Sequence, residues 1–320
     1  MKAVVLREFG GPENFEVREE RKPAPGPGQV LVRVLAAGVN PVDVKLRSQR
    51  ARVDIPLPAI LGWDVAGVVE ALGPGAADFQ VGDKVFYTPG VFDGPGAYAE
   101  YHVAKQEQVE HKPANLTFIE AAGLPLAGCT AWDALIGTAR LSVGETALIH
   151  AAAGGVGSLA VQIAKAAGAR VIGVTSAGGA KLVRALGADV VVDRGDDFVA
   201  AVLRETDGLG ADVTFDTVGG ETLARSIAAT RPHGRLSSIV SAEGNLNPAY
   251  LRNQTIHFVY LERSRAKMTA LRRLVERGQL RPVIDSVLAL EHVAQAHARL
   301  ERGGMRGKIV LQTSPEAEER

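Results

Sequence analysis

The run Thr146-Ala-Leu-Ile-His-Ala-Ala-Ala-Gly-Gly-Val-Gly-Ser158 constrains this chain more than any other stretch. An apolar segment breaks into glycines, and a helical pattern continues over 159–167. Strand, tight loop and helix in that order form a unit whose helix N-terminus offers unpaired N–H groups to an anion. Gly154 has no Cβ to hold a diphosphate off the backbone, and Gly157 lets the helix pack closely. The strict G-x-G-x-x-G pattern fails at its first position, where Ala152 stands, and a glycine-rich turn alone is a weak motif. Its surroundings strengthen it. A second β-like run, 170–175, ends about 20 residues after Gly154, where such folds place the residue that meets the adenosine ribose. A dinucleotide site is expected here.

The rest of the chain sorts itself around that unit. Strand-like segments over 146–150, 171–175, 189–192, 212–216, 235–240 and 256–261 alternate with helical crossings over 157–168, 181–186, 198–206, 222–229 and 250–253. Such alternation demands a parallel, doubly wound α/β sheet with its ligand at the carboxyl edge. The first third reads differently, as short strands over 2–7, 15–19, 30–36, 65–72, 84–87 and 98–103 separated by Gly/Pro-rich links, the signature of an irregular β-barrel. Within it Asn40-Pro-Val-Asp43 looks like a helix start, with Asn40 as N-cap, Pro41 in the first helical position and Asp43 in the first turn. Helical patterns over 119–123 and 125–135 bridge into the nucleotide-binding half. After 262, a basic amphipathic segment, a strand over 283–288, a helix over 292–302 and a strand over 308–312 return to complete the first domain. The expected division is 1–122 with 262–320 against 123–261. The charged tail, 315–320, is expected to be disordered.

At 320 residues there is room for both domains. The 36 basic and 36 acidic side chains cancel, so no global field recruits nucleic acid or an anionic membrane, and a small-molecule partner is expected. Cys129 is the one cysteine, which excludes an intrachain disulfide and a cysteine-built zinc cluster; in an apolar segment it reads as inert core. Arg7 comes too early for a secretory signal, and no apolar run reaches the roughly 18 residues of a membrane helix, so a cytoplasmic location is expected.

Thr175 and Ser176 end the second strand of the nucleotide-binding half, and no Asp or Glu stands there to bind a ribose 2′-hydroxyl or repel a 2′-phosphate. NADP(H) is favoured. The Ser176 hydroxyl and Lys181 are candidates for the phosphate, and Arg194, after the third strand, for the adenine or as a second cation. Arg184 reads better as a solvated helix residue, an alternative that stays open for Lys181.

Several motifs together carry a resemblance. Gly38-Val-Asn-Pro-Val-Asp43, Leu61-Gly-Trp-Asp-Val-Ala-Gly-Val-Val69, Val81-Gly-Asp-Lys-Val85, Gly96-Ala-Tyr-Ala-Glu-Tyr101 and the 146–158 loop occur in the order of one family. The chain resembles, over nearly its whole length, the zinc-independent, zeta-crystallin-like quinone oxidoreductases of the medium-chain dehydrogenase/reductase superfamily. That resemblance implies a Rossmann NADP(H)-binding domain inserted into a GroES-like catalytic domain, with a cleft for cofactor and substrate. It implies that Asn40 reaches the nicotinamide ribose or the substrate carbonyl, and that Thr130 faces the nicotinamide end. Gly154, Gly155, Val156 and Gly157 face the diphosphate, Val218 and Ile239 line the cofactor groove, and Lys308 lies on the strand that closes the cleft.

Zinc-dependent relatives bind their metal through a cysteine where this chain has Val39-Asn40 and a His-Glu pair where it has Trp63-Asp64, so no metal is expected. Hydride delivery without metal rests on positioning and on hydrogen bonds to a substrate oxygen, which suits quinones and activated enones. One departure concerns substrate choice. The better-known bacterial quinone oxidoreductases carry a tyrosine where this chain has Lys45, and Asn-Pro-Val-Asp-x-Lys is similar to members that reduce the C=C bond of α,β-unsaturated carbonyls. Three roles stand open for Lys45: stabilising a developing enolate oxygen, a ribose contact, or a solvated helix lysine. Tyr87, Phe92 and Tyr98 are candidates for an aromatic wall or for barrel core. The alternatives to a quinone/enone reductase are a trans-acting enoyl reductase and an NADPH-binding, crystallin-like protein with little turnover. A homodimer is expected through the apolar segment 256–261, whose other reading is an internal strand.

Overall fold

The computed structural model describes residues 1–49 and 55–320. The chain divides into two compact units: Met1–Leu126 with Arg263–Glu276 and Pro282–Arg320, and Ala127–Glu262 with Arg277–Arg281.

The second unit is built on six parallel strands in the spatial order Val190–Asp193, Arg170–Thr175, Thr146–Ile149, Ala211–Asp216, Thr230–Ser238, Thr255–Phe258. Numbered along the chain this is 3-2-1-4-5-6, the doubly wound order, with its switch point beside Thr146–Ile149. The central strands read as unbroken apolar runs because helices cover both faces: Ala147, Leu148, Ile149, Val171, Ile172, Val213 and Phe215 are buried. Helix Gly155–Ala166 follows the first strand, its residues 157–164 buried. The strand expected over 235–240 instead runs Thr230–Ser238, and the sixth ends at Phe258 rather than 261. Thr230 extends the strand by pairing with Ala211, and a register shift follows between Ala211 and Val213. Residues 277–281, expected with the other unit, belong here, because the Gln162 side chain clasps the Arg281 backbone through both its N–H and its carbonyl, each at 2.9 Å.

The first unit centres on the 11-residue strand Gln29–Val39. It pairs antiparallel with Val65–Leu72, with Tyr101–Lys105 over its first half and with Lys308–Gln312 over its second, so strands from both ends of the sequence meet on it. The sheet order is Ile284–Ala289, Lys308–Gln312, Gln29–Val39, Val65–Leu72, Lys84–Tyr87, Glu110–His111, with Tyr101–Lys105 branching off. Phe15–Glu19, Lys2–Leu6 and Ala59–Ile60 form a second, three-stranded sheet. Val4, Leu6, Val32, Val34, Leu61, Trp63, Tyr87, Tyr98, Ile309 and Leu311 share one core. Residues 123–126, expected in the nucleotide-binding domain, group here, the Leu126 N–H donating to Asp64 Oδ1 at 2.6 Å.

The tail is not disordered. Pro315–Glu318 forms a helical turn, Ala317 is buried, Glu316 pairs with Arg33 at 3.0 Å, and the Phe118 N–H donates to the Glu319 carbonyl. Charge alone suggested a solvated end; a partner for Glu316 and one buried methyl dock it. Among the described residues, no helix is long and apolar enough to cross a membrane.

Candidate active site

In the first unit, strand Gln29–Val39 delivers Asn40 to the N-cap of helix Pro41–Arg47. The expected cap is present in an altered form. Asp43 Oδ2 accepts the Asn40 backbone N–H at 2.7 Å, while the Asn40 side chain is engaged elsewhere. Its Nδ2 donates to Asp64 Oδ2 at 2.8 Å, and its Oδ1 accepts from the Lys308 ammonium. Lys308 also donates to Asp64 Oδ2 at 3.0 Å, and all three side chains are buried. The chemistry of the partners fixes the amide orientation: a carboxylate only accepts and an ammonium only donates, so Nδ2 must face Asp64 and Oδ1 must face Lys308. One Nδ2 hydrogen remains to be given. Asp64 was invisible as a partner in the sequence, although a lysine heading the apolar strand Lys308–Gln312 is a signal that a buried counter-charge must exist.

Behind this cluster runs a second polar chain. Tyr98 donates its hydroxyl to Asp43 Oδ2 at 2.6 Å and lies 3.3 Å from His297 Nε2, and Arg47 Nε reaches His297 Nδ1 at 3.3 Å before its guanidinium pairs with Glu301. Burial pushes the Asp43 carboxyl up to about 7, against the pull of the Tyr98 hydroxyl, the Asn40 N–H and the Lys308 charge. Burial and the Arg47 charge hold His297 down at about 3. None of this network follows from sequence spacing.

Lys45 stands apart. On helix Pro41–Arg47 residues 43, 44, 46 and 47 are buried, whereas Pro41 and Lys45 are exposed one turn apart. Of the three candidate wall aromatics, Tyr87 and Tyr98 are core, with hydroxyls bonded to His102 and Asp43; only Phe92 is exposed.

In the second unit, the glycine loop follows its strand directly. Ala151 takes the left-handed conformation at φ 47°, and its carbonyl accepts the Gly154 N–H at 2.8 Å. The left-handed residue is therefore Ala151, and Ala152 makes an ordinary N–H bond to the Val174 carbonyl at 2.9 Å. Helix Gly155–Ala166 starts on Gly154, so the N–H groups of Gly155, Val156 and Gly157 open its first turn, where an α-helix leaves donors unpaired. A Cβ on Gly157 would stand 2.2 Å from the Ala151 carbonyl oxygen. Thr175 and Ser176 lie at the carboxyl end of the neighbouring strand, and the Arg194 N–H donates to the Thr175 carbonyl at 2.7 Å, bringing those three to one edge. Lys181 is exposed on helix Ala180–Ala185. Val218 is exposed just past strand Ala211–Asp216, its N–H held by Asp216 Oδ1 at 2.9 Å. Ile239 lies beyond its strand, its N–H donating to the Asp216 carbonyl at 3.3 Å. Thr130 is buried on helix Pro125–Trp132.

Family models match both regions: an alcohol dehydrogenase GroES-like domain over residues 26–114 and a zinc-binding dehydrogenase over 186–311. Quinone oxidoreductase from Pseudomonas aeruginosa is 38% identical over 326 aligned positions, covering 97% of this chain and 99% of the relative. The chain belongs to the quinone oxidoreductases of the medium-chain dehydrogenase/reductase superfamily. It is an oxidoreductase. A 2-haloacrylate reductase from Burkholderia sp is 37% identical over 77% of the chain and 75% of the relative. A crystal structure titled NAD-dependent alcohol dehydrogenase superposes with a TM-score of 0.93 at 36% identity, covering 98% of this chain and all of that one.

The zinc in that family-model description does not fit the residues present. Among the described residues no three His, Cys, Asp or Glu side chains converge as a metal would need. Asp64, the carboxylate nearest the ligand positions of zinc-dependent relatives, has Oδ2 held by an amide and an ammonium and Oδ1 by a backbone N–H. A dinucleotide fits: the glycine loop, the open helix start and the hydroxyls of Thr175 and Ser176 supply the donors its phosphates and ribose require.

Proposed function

We propose that this chain is an NADPH-dependent reductase that acts on quinones or activated α,β-unsaturated carbonyls without a metal. The observation that carries the reading is the buried Asn40–Asp64–Lys308 cluster, in which a lysine ammonium supplies the positive charge beside Asp64. Bound NADPH would supply the hydride that, with one proton from solvent, takes a quinone to its hydroquinone or an enone to the saturated ketone. The N–H groups of Gly155, Val156 and Gly157 bind the diphosphate, and Gly154 leaves its approach clear. Thr175 and Ser176 receive the adenosine ribose, and Lys181 and Arg194, neither holding an ion pair among the described residues, bind the 2′-phosphate. Val218, Ile239 and Thr130 flank the remainder of the cofactor. Asn40 keeps one amide hydrogen for the nicotinamide ribose or the substrate oxygen, and Lys308 holds that amide in register.

The ene-reductase side of the reading is supported by Lys45 and by the similarity to a 2-haloacrylate reductase. Lys45 is exposed and holds no ion pair among the described residues, so its ammonium can meet a developing enolate oxygen. The experiment is steady-state oxidation of NADPH and NADH with one quinone and one linear enone, in the parent and in Lys45→Tyr. The parent is expected to prefer NADPH and the enone, and the variant to shift toward the quinone. If neither acceptor oxidises either cofactor while NADPH still binds, a binding protein with little turnover replaces the reductase reading. Lys181→Glu is expected to raise the KM for NADPH about tenfold or more, by placing a carboxylate against the 2′-phosphate, and to leave that for NADH nearly unchanged.

The dimer belongs to the same proposal. Among the described residues, strand Thr255–Phe258 pairs on one side only, with Thr230–Ser238, and Phe258 at its end and Tyr260 just past it are exposed. An edge strand of this kind pairs readily with a second copy across a two-fold axis. Phe258→Asp with Tyr260→Asp is expected to sediment as a monomer where the parent sediments as a dimer.

A further inference from the structure

The direction of every bond in the buried polar chain behind Asn40 follows from its chemistry. Arg47 carries only donors, so its Nε–H, 3.3 Å from His297 Nδ1, obliges that nitrogen to accept. Burial and the Arg47 charge keep the imidazole neutral, which leaves its single proton on Nε2. Nε2 therefore donates to the Tyr98 oxygen, 3.3 Å away, and Tyr98 gives its own proton to Asp43 Oδ2 at 2.6 Å. The same Oδ2 accepts the Asn40 backbone N–H at 2.7 Å. From Arg47 onward each donor points toward one carboxylate oxygen. The far end is anchored. Arg47 also donates to the Gly10 carbonyl and pairs with Glu301 at 2.8 Å, and Phe15 packs edge-on against both rings, its centroid 4.8 Å from His297 and 6.5 Å from Tyr98. The near end is open, for Asp43 Oδ1 is buried without a partner. A proton taken up by Asp43 would sit there facing no acceptor, and it would weaken both bonds that Oδ2 accepts, since hydrogen bonds to an ionised carboxylate are the stronger ones.

We propose that Tyr98 and His297 are positioning residues: through Asp43 they fix the Asn40 backbone, and so aim the one amide hydrogen left on Asn40 Nδ2. This rests on the reductase reading, which supplies the target of that hydrogen, and deepens it. Asn40 is held twice, its side chain by Asp64 and Lys308 and its main chain by Asp43. The groups around Asp43 set when the second hold is strong. Burial carries the carboxyl up to about 7; the Tyr98 hydroxyl, the Asn40 N–H and the Lys308 ammonium oppose that rise, and the Asp64 charge adds to it. Behind Tyr98 stand His297 and Glu301 from helix Val293–Glu301, and Arg47 from the helix that carries Asp43. As pH falls through that value Asp43 gains a proton, its grip on the Asn40 N–H slackens and the amide loses its aim. Removing the Tyr98 donor, which favours the carboxylate, raises the value further.

The test reads Asn40 both directly and in turnover. In isotope-labelled protein without cofactor, the magnetic-resonance signal of the Asn40 backbone N–H is expected to titrate with Asp43, and kcat/KM for naphthoquinone with NADPH to fall on the acid side over the same range. Tyr98→Phe keeps the ring beside Phe15 and His297 and removes the hydroxyl. Both midpoints are expected to move up by about half a pH unit, so that kcat/KM on the acid side drops about threefold. His297→Gln retains an acceptor for Arg47 and a donor for Tyr98, and is expected to keep the parental midpoints; His297→Leu severs the chain and is expected to shift them as Tyr98→Phe does. Tyr98→Phe midpoints that coincide with the parent's, in the Asn40 signal or in turnover, overturn the proposal. A His297→Gln protein shifted as far as Tyr98→Phe overturns it too, because packing rather than bond direction then matters. A shifted Asn40 midpoint with no NADPH oxidation by any acceptor overturns the reductase reading and leaves the chain's hold on Asn40 standing.

Discussion

Lys308→Met is expected to destabilise the protein by about 3–5 kcal/mol, because it leaves the Asp64 carboxylate buried without its cation. The ammonium and the carboxylate are 3.0 Å apart and both essentially inaccessible, so neither water nor salt substitutes for the lost partner. Denaturant titration reads the loss as a lower midpoint with little change in slope. The substitution also frees Asn40 Oδ1, so the amide is no longer held in one orientation and kcat/KM for the acceptor falls with the stability. Asp64→Asn tests the assignment from the other side: it removes the negative charge and leaves Lys308 buried and unpaired, so it too destabilises. A Lys308→Met protein as stable as the parent contradicts the account of a paired, buried charge.

Gly157→Ala and Gly154→Ala are expected to separate folding from cofactor binding. At Gly157 a methyl group meets the Ala151 carbonyl oxygen at 2.2 Å and the Ala152 Cα at 2.9 Å, both backbone atoms, so the helix must move off the loop. Overpacking of this kind costs about 1–3 kcal/mol or more, and thermal unfolding registers it with no cofactor present. At Gly154 the nearest atom to a built Cβ is the same carbonyl oxygen at 3.2 Å, a tight but tolerable contact, so the fold survives. The methyl then stands beside the helix start. NADPH affinity is expected to drop at least tenfold with little change in melting temperature, as measured by fluorescence titration beside a thermal scan. Equal affinity in Gly154→Ala and the parent removes this loop from the diphosphate site.

The nucleotide-binding unit was legible because its signals are local. Each strand is a short apolar run and each crossing an amphipathic helix, so period and glycine placement locate the elements within a few residues, and their alternation dictates the sheet. What the sequence hid depends on contacts between distant residues. Asp64 sits in a motif that reads as an ordinary strand entrance, and its partners Asn40 and Lys308 lie 24 and 244 residues away. The linkage of Tyr98 to Asp43 and His297 has the same character, and it turned a candidate wall aromatic into core. Composition misled at the tail, where Glu316 and Glu318 look solvated until Arg33 appears beside the first of them. The grouping of 277–281 with the second unit is hidden for the same reason: it follows a single side chain, Gln162, that lies 119 residues from Arg281.

The strand pairing that joins residues 36–39 to 309–312 also has a temporal meaning. A ribosome emits the parallel sheet, ending at Phe258, while Asn40 still waits for Lys308, 268 residues downstream. Loop closure over that distance is slow compared with the neighbouring β–α crossovers. The nascent chain can thus hold its parallel sheet before the buried Asn40–Asp64–Lys308 cluster, which we propose as the reaction centre, is able to close.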